Sequence, residues 1–323
     1  MYKGSDDLLA QPVLAILGPT GAGKSRFAVE VALAFRGEVI SCDSMAVYRG
    51  VDIGTDKPSL SERRGVRHHL IDVVEPGAFF SAGAFRAKAL EAIREIRGRE
   101  ALPIIVGGTG LYARALLDGM APAPPRNEAL RERLKAIAER SGAGKLHRIL
   151  QRLDPASASR LHQGDALRVI RAIEVRLVTG RPMSRLIEER PFGRESLSRV
   201  LRLCLTAPRQ VLYNRIERRA EAMVQLGLVE EVKALVEAGK LKGPVAKAIG
   251  YSEIARYLKG EIGLEQALAL IKQRSRNLAK RQLTWFRRES GLIWLDIETE
   301  AWKSNAMERI RRWREAPGGQ PGN

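Results

Sequence analysis

The stretch Val13-Leu-Ala-Ile-Leu-Gly-Pro-Thr-Gly-Ala-Gly-Lys-Ser25 decides the architecture. Val13 to Leu17 is a short, continuous apolar run, the pattern of a parallel strand buried on both faces. Behind it Gly18, Pro19, Thr20, Gly21, Ala22, Gly23, Lys24 and Ser25 satisfy G-x4-G-K-[ST], and a helical pattern runs from Arg26 to Phe35. Glycines in that order let the backbone turn so that successive N–H groups point inward. The helix N-terminus adds the positive end of its dipole. Lys24 supplies a point charge for phosphate oxygens, and Ser25 a hydroxyl ligand for Mg2+. Such a cradle takes a di- or triphosphate. Most loops of this kind hold nucleoside triphosphates and transfer a phosphoryl group, so the cradle alone does not name the reaction.

Outward from the loop, Glu38 to Cys42 predicts a second strand, His69 to Val73 a third and Pro103 to Val106 another. Between the last two, Ser81 is placed to cap a helix that stops at Gly98. Repeated β-α-β alternation implies an α/β fold: a P-loop kinase-like parallel sheet flanked by helices. The rhythm stops at the Pro-rich APAPPRN, 121–127. From Arg126 to about Arg190 only helical periodicity remains, broken at 141–144, Asp154-Pro155, Gln163-Gly164 and 180–182. Strand patterns return at 200–205 and 292–297. The expected organisation is a first part of the core at 1–120, an all-helical insertion at 121–198, completion of the core at 199–314 and a disordered tail at 315–323.

The 323 residues carry a net charge of +18, which favours a polyanionic partner. The charge is uneven. Residues 121–200 hold 17 Lys and Arg against 9 Asp and Glu, and residues 272–289 hold 7 against 1. No run approaches the apolar length that spans a bilayer, and MYKGSDDLLAQP lacks the apolar segment of an export signal. A cytoplasmic location is therefore expected; a monomer is expected too, though the sequence itself does not decide oligomeric state. Cys42 and Cys204 show no paired spacing and read as buried thiols, and the four histidines have no metal-ligand spacing.

Four further segments follow the P-loop in order. They are Ser41-Cys-Asp-Ser-Met-Ala-Val-Tyr-Arg-Gly50, Asp52-Ile-Gly-Thr-Asp-Lys-Pro58, Val106-Gly-Gly-Thr-Gly-Leu-Tyr112 and Leu278-Ala-Lys-Arg-Gln-Leu-Thr-Trp-Phe-Arg287. Together they resemble the tRNA dimethylallyltransferases, over about Val13 to Trp294. The resemblance implies that the P-loop holds the pyrophosphate of dimethylallyl diphosphate with Mg2+. It also implies a tunnel, with the prenyl donor at one end and a flipped adenosine from the 3′ side of a tRNA anticodon at the other.

It assigns Asp43 as the base that takes the proton of the adenine amine, a role worth roughly 10²–10⁴-fold. From the residues alone, an Asp that merely caps a turn is an equal reading. Arg219 matches the arginine that grips the diphosphate, its fork suiting phosphate oxygens better than lysine, although from the residues alone a solvated charge on an Arg-rich helix is the favoured reading. Thr109 matches a hydroxyl near the reacting centre, compatible with a helix cap. Segments resembling the family's tRNA contacts are Asp43, Ser44, Met45 and Ala46; Leu167, Arg168, Val169, Ile170 and Arg171; and Lys247, Ala248, Ile249, Gly250, Tyr251 and Ser252. Arg131 and Thr109 join them. These contacts must offset the few kilocalories per mole that flipping costs. In the helix around Lys280 and Arg281, Trp285 is expected in the core. The sequence departs from the family at Ala22, Ala46, Ala84 and Ser252, where serine, glutamine, aspartate and a long basic residue are common. Two rivals share the cradle: a small-molecule kinase and a prenyltransferase of free adenine nucleotides.

Overall fold

β1 (Val13–Leu17) lies at the centre of a six-stranded sheet with β2 (Gly37–Ser41), β3 (His68–His69), β4 (Leu102–Gly107), β5 (Val200–Thr206) and β6 (Ile293–Asp296). The order is β3-β2-β4-β1-β5-β6 and every pairing is parallel. All residues of β1 and β4 are buried, which is why their sequences are apolar without alternation. The architecture is a computed structural model describing residues 12–120, 123–189 and 196–316. Positions 121–122 of the Pro-rich boundary, the tail from 317 on and the N-terminal 1–11 lie outside the described residues.

The chain divides into two compact units, Met1–Leu117 with Leu197–Asn323, and Asp118–Ser196. In the first, α1 (Lys24–Phe35), α2 (Leu60–Arg63), α3 (Ala82–Gly98) and α4 (Gly110–Leu117) follow their strands. Ser81 caps α3 as expected, its hydroxyl accepting from Ala84 N at 3.0 Å. α1 buries Phe27, Ala28, Val31 and Phe35 against the sheet. On α3 and α4, Phe85 and Tyr112 stack with centroids 4.4 Å apart.

The second unit is helical: α5 (Glu128–Ser141), α6 (Ala143–Leu153), α7 (Pro155–Arg160), α8 (Ala166–Thr179) and α9 (Met183–Glu189). Its core holds Leu134, Leu146, Leu150, Val169, Ile170 and Ile173. Asp154 ends α6 and caps α7, accepting from Ser157 N at 3.0 Å and Ser184 Oγ at 2.6 Å. The first unit then resumes with β5, α10 (Arg209–Gln225), α11 (Leu228–Glu237), α12 (Tyr251–Leu258), α13 (Leu264–Phe286), β6 and α14 (Trp302–Glu315).

Two expectations need correction. The third strand is His68–His69 rather than His69 to Val73, because Leu70 and Asp72 take positive φ of 61° and 57° and turn the chain away. Trp285 is half-buried, packed on Gly110 with the Arg114 guanidinium 4.6 Å above its ring, while Phe286 is the core residue.

Candidate active site

The pairings Leu17↔Gly107, Leu17↔Cys204 and Ser41↔Val106 bring the carboxyl ends of β1, β2, β4 and β5 to one edge. Ligands of open α/β sheets gather at that edge. The loops leaving those strands carry the P-loop, Asp43 and Thr109. At Gly18, φ is 138° and a Cβ would stand 2.4 Å from Leu205 O, so no other residue lets the loop leave β1 here.

Of the cavities adjoining the loop, two, of about 540 Å³ and 370 Å³, share Thr20, Lys24, Ser25, Asp56, Pro58 and Arg219. Lys24 donates to Pro19 O at 2.7 Å. Burial, and then the charge of Arg219, lowers its pKa to about 8, with Asp43 opposing. Arg219, on α10, donates from Nη1 to Asp56 Oδ2 at 2.7 Å. Ser25 faces the smaller cavity together with the carboxylates Asp43 and Asp56. Hydroxyl and carboxylate oxygens beside a phosphate cradle are the hard donors that Mg2+ prefers, so the residues fit that ion. Ala22 is buried in the sheet core and lines neither of these two cavities.

Asp43 accepts on Oδ1 from Met45 N at 2.7 Å and Ala46 N at 3.2 Å. The turn-capping role is thus occupied by one oxygen of a side chain that also lines the cavity. Thr109 Oγ1 accepts from Ser44 N at 3.1 Å, and Thr109 N donates to Cys42 O at 3.3 Å. The β2 and β4 loops are thereby tied to each other. Of the family-like segments, Ser44, Met45, Ala46, Lys247, Ala248 and Ile249 also line this cavity. Gly250 and Tyr251 are buried instead. The Tyr251 hydroxyl donates to Glu231 Oε1 at 2.5 Å, and Glu231 Oε2 accepts from Asp52 N and Ile53 N at 3.0 and 2.9 Å. Ser252 accepts from Arg274 Nη1 at 2.5 Å.

In the helical unit the segment expected to meet RNA is split. Leu167 and Arg168 are exposed, whereas Val169 and Ile170 are core and present no side chain to a partner. Arg131 and Arg171 converge on the fully buried Glu174: Arg131 Nε and Nη2 at 2.9 and 2.8 Å, Arg171 Nη1 at 2.5 Å.

Sequence reasoning passed over Gln282, Asp56, Glu231 and Lys57 as site-builders. Lys57 is nearly buried and bonds Asp52 Oδ1 and Asp72 Oδ1, both at 2.6 Å, so its charge holds the loop rather than a ligand. The available signal was helical spacing: Ile271, Ser275, Leu278 and Gln282 repeat every three or four residues, and all four line the smaller cavity.

Fold and site define a P-loop protein whose cradle opens onto a cavity with its own carboxylate and hydroxyl. A family model described as IPP transferase matches residues 46–289. The tRNA dimethylallyltransferase of Thermomicrobium roseum is 47% identical over 306 residues, 94% of this chain and 91% of the relative. That of Solibacter usitatus is 45% identical over 307 residues, covering 94% and 99%. Among solved structures, the tRNA isopentenylpyrophosphate transferase of Bacillus halodurans aligns with a TM-score of 0.69 at 38% identity, covering 93% of this chain and 96% of that one. A eukaryotic dimethylallyltransferase acting on tRNA aligns at 0.81 and 29% identity, covering 94% and 78%. The chain belongs to the tRNA dimethylallyltransferase (IPP transferase) family.

Proposed function

We propose that this chain transfers the dimethylallyl group of dimethylallyl diphosphate to the exocyclic amine of the adenosine 3′ to a tRNA anticodon, releasing pyrophosphate. The observation that carries this reading is one cavity lined by Lys24, Ser25 and Arg219 together with Asp43 and Thr109's neighbours Gly108 and Ser44. A phosphoryl-transfer site needs the cradle. A carboxylate facing the cradle serves as a base in either reaction, and the family to which the chain belongs favours prenyl transfer.

The donor's diphosphate lies in the P-loop, held by inward N–H groups, Lys24 and the Arg219 fork. Arg219 exchanges Asp56 for phosphate oxygens as the donor binds. Ser25 would hold Mg2+, which would supply neutralisation of the charge on the departing pyrophosphate. The amine nitrogen forms its bond to the allylic C1 as the bond from C1 to the bridging oxygen breaks. That oxygen keeps the electron pair, and Lys24 and Arg219 stabilise it. The amine proton passes to Asp43, whose geometry is fixed by the two backbone donors on its Oδ1. Thr109 orients the acceptor from the opposite loop. Ser44, Met45, Ala46 and the Lys247–Ile249 backbone flank the flipped base, and Arg168 meets the RNA backbone.

The test is label transfer. Labelled dimethylallyl diphosphate and Mg2+ are mixed in parallel with an unmodified anticodon stem-loop, AMP and ATP. Label on the stem-loop alone is expected, and Asp43→Asn should reduce it roughly 10²–10⁴-fold with tRNA affinity retained. Label on AMP or ATP makes this a nucleotide prenyltransferase. ATP consumed without transfer makes it a kinase.

A further inference from the structure

Gln282, on α13, reaches two loops at once. Thr20 N, in the P-loop, donates to its Oε1 at 2.9 Å, and its Nε2 donates to Gly108 O at 3.0 Å. The amide satisfies both in one orientation. Reversed, it would set NH2 against N–H and carbonyl against carbonyl. The approach is close enough to dictate sequence: a Cβ on Gly108 would stand 2.3 Å from Gln282 Nε2 and 3.1 Å from Gly18 O. Gly108 precedes Thr109, which bonds to Ser44 and Cys42 on either side of Asp43. A continuous bonded path therefore runs from the diphosphate cradle through Gln282 and Gly108 to the loop holding Asp43.

From this we infer that Gln282 is a positioning residue: it fixes the separation between the phosphate cradle and the Asp43–Thr109 pair. The inference rests on the proposed prenyl transfer. In that reaction the leaving oxygen is held at one end of the path and the attacking amine at the other. An in-line displacement tolerates little error in that span, and a displacement of about 1 Å costs on the order of 10²-fold in rate. Thr20 N–H is also a donor that could otherwise turn toward a ligand. Bonded to Gln282, it is committed to the scaffold, and the other loop N–H groups are left to meet the phosphates. Two partly buried hydrogen bonds contribute too little to stability for folding to depend on them.

The test uses the full chain, dimethylallyl diphosphate and the anticodon stem-loop at saturation. Gln282→Ala should lower kcat roughly 10- to 100-fold with stem-loop Kd unchanged. Gln282→Glu supplies a readout that a merely structural role does not move. The introduced carboxyl accepts from Thr20 N in either state but donates to Gly108 O when protonated. The ratio of its kcat to that of wild type should therefore climb as pH falls from about 6.5 toward the ordinary carboxyl value of about 4.3, while the Gln282→Ala ratio stays flat. Several outcomes overturn the inference: unchanged kcat in Gln282→Ala, a lower Tm with kcat per folded molecule intact, a flat ratio for Gln282→Glu, or a loss confined to stem-loop Kd, which makes Gln282 an RNA contact. A wild-type chain that transfers label to no acceptor overturns the proposed reaction itself. An active wild type with a kinetically normal Gln282→Ala overturns the brace alone.

Discussion

At the scale of the residue, Lys24 shows the tension built into the cradle. Its ammonium is held beside Arg219, and burial pulls its pKa from 10.5 to about 8. The folded value lies below the unfolded one, so between about 8 and 10.5 the unfolded chain binds more protons. Stability from this residue therefore rises with pH across that window. Below it, the buried charge is a full cost. In the proposed reaction a bound diphosphate would supply a counter-charge and reverse the preference. Lys24→Met should raise the Tm of the donor-free protein at neutral pH and abolish the further rise that pyrophosphate with Mg2+ gives to wild type, as read by thermal denaturation. A variant still stabilised by pyrophosphate as strongly as wild type would place the cradle's charge on another residue.

At the scale of the element, α8 is anchored by a buried carboxylate. Burial favours the neutral form of Glu174, but hydrogen bonds from Arg131, Arg171 and Asn127 N hold its pKa down to about 2. The folded pKa lies below the unfolded 4.5, so the contribution is complete above that value and disappears as pH falls from 4.5 toward 2. Removing one partner of a buried pair leaves the others uncompensated. Glu174→Gln should cost the helical unit about 3–5 kcal/mol in chemical denaturation and remove its loss of stability below about pH 4.5. A variant as stable as wild type would make the cluster dispensable. Arg171 also donates to Pro124 O at 2.8 Å, so charge reversal there destabilises the unit instead of reporting on RNA.

At the scale of the whole molecule, the surplus of +18 gives RNA binding a strong dependence on salt. Arg168 is the informative probe in the helical unit, because its side chain is 69% exposed and pairs with Asp165 at 3.1 Å. Arg168→Glu should weaken stem-loop binding, flatten the slope of log affinity against log salt by roughly one phosphate contact and leave Tm unchanged. An unaltered slope in a filter-binding or anisotropy titration would put the RNA on another face. No helix among the described residues is long and apolar enough to cross a membrane.

The sequence by itself determined the parallel sheet, the P-loop and the helical insertion, because each is a local pattern: apolar runs without alternation, a glycine spacing, a period of 3.6. It also supplied the family, through short motifs whose side chains act near their own backbone, Asp43 among them. What tertiary structure alone decided was partnership. Arg131 and Arg171 read as RNA-facing cations, yet both point at Glu174, more than forty residues from the first of them. Val169 and Ile170 were inseparable in sequence from Leu167 and Arg168, and helix rotation put one pair in the core and the other in solvent. Gln282 bonds Thr20 across 262 positions. No periodicity carries such a bond, since a side chain's long-range partner is fixed only when the sheet brings distant strand ends to a common edge.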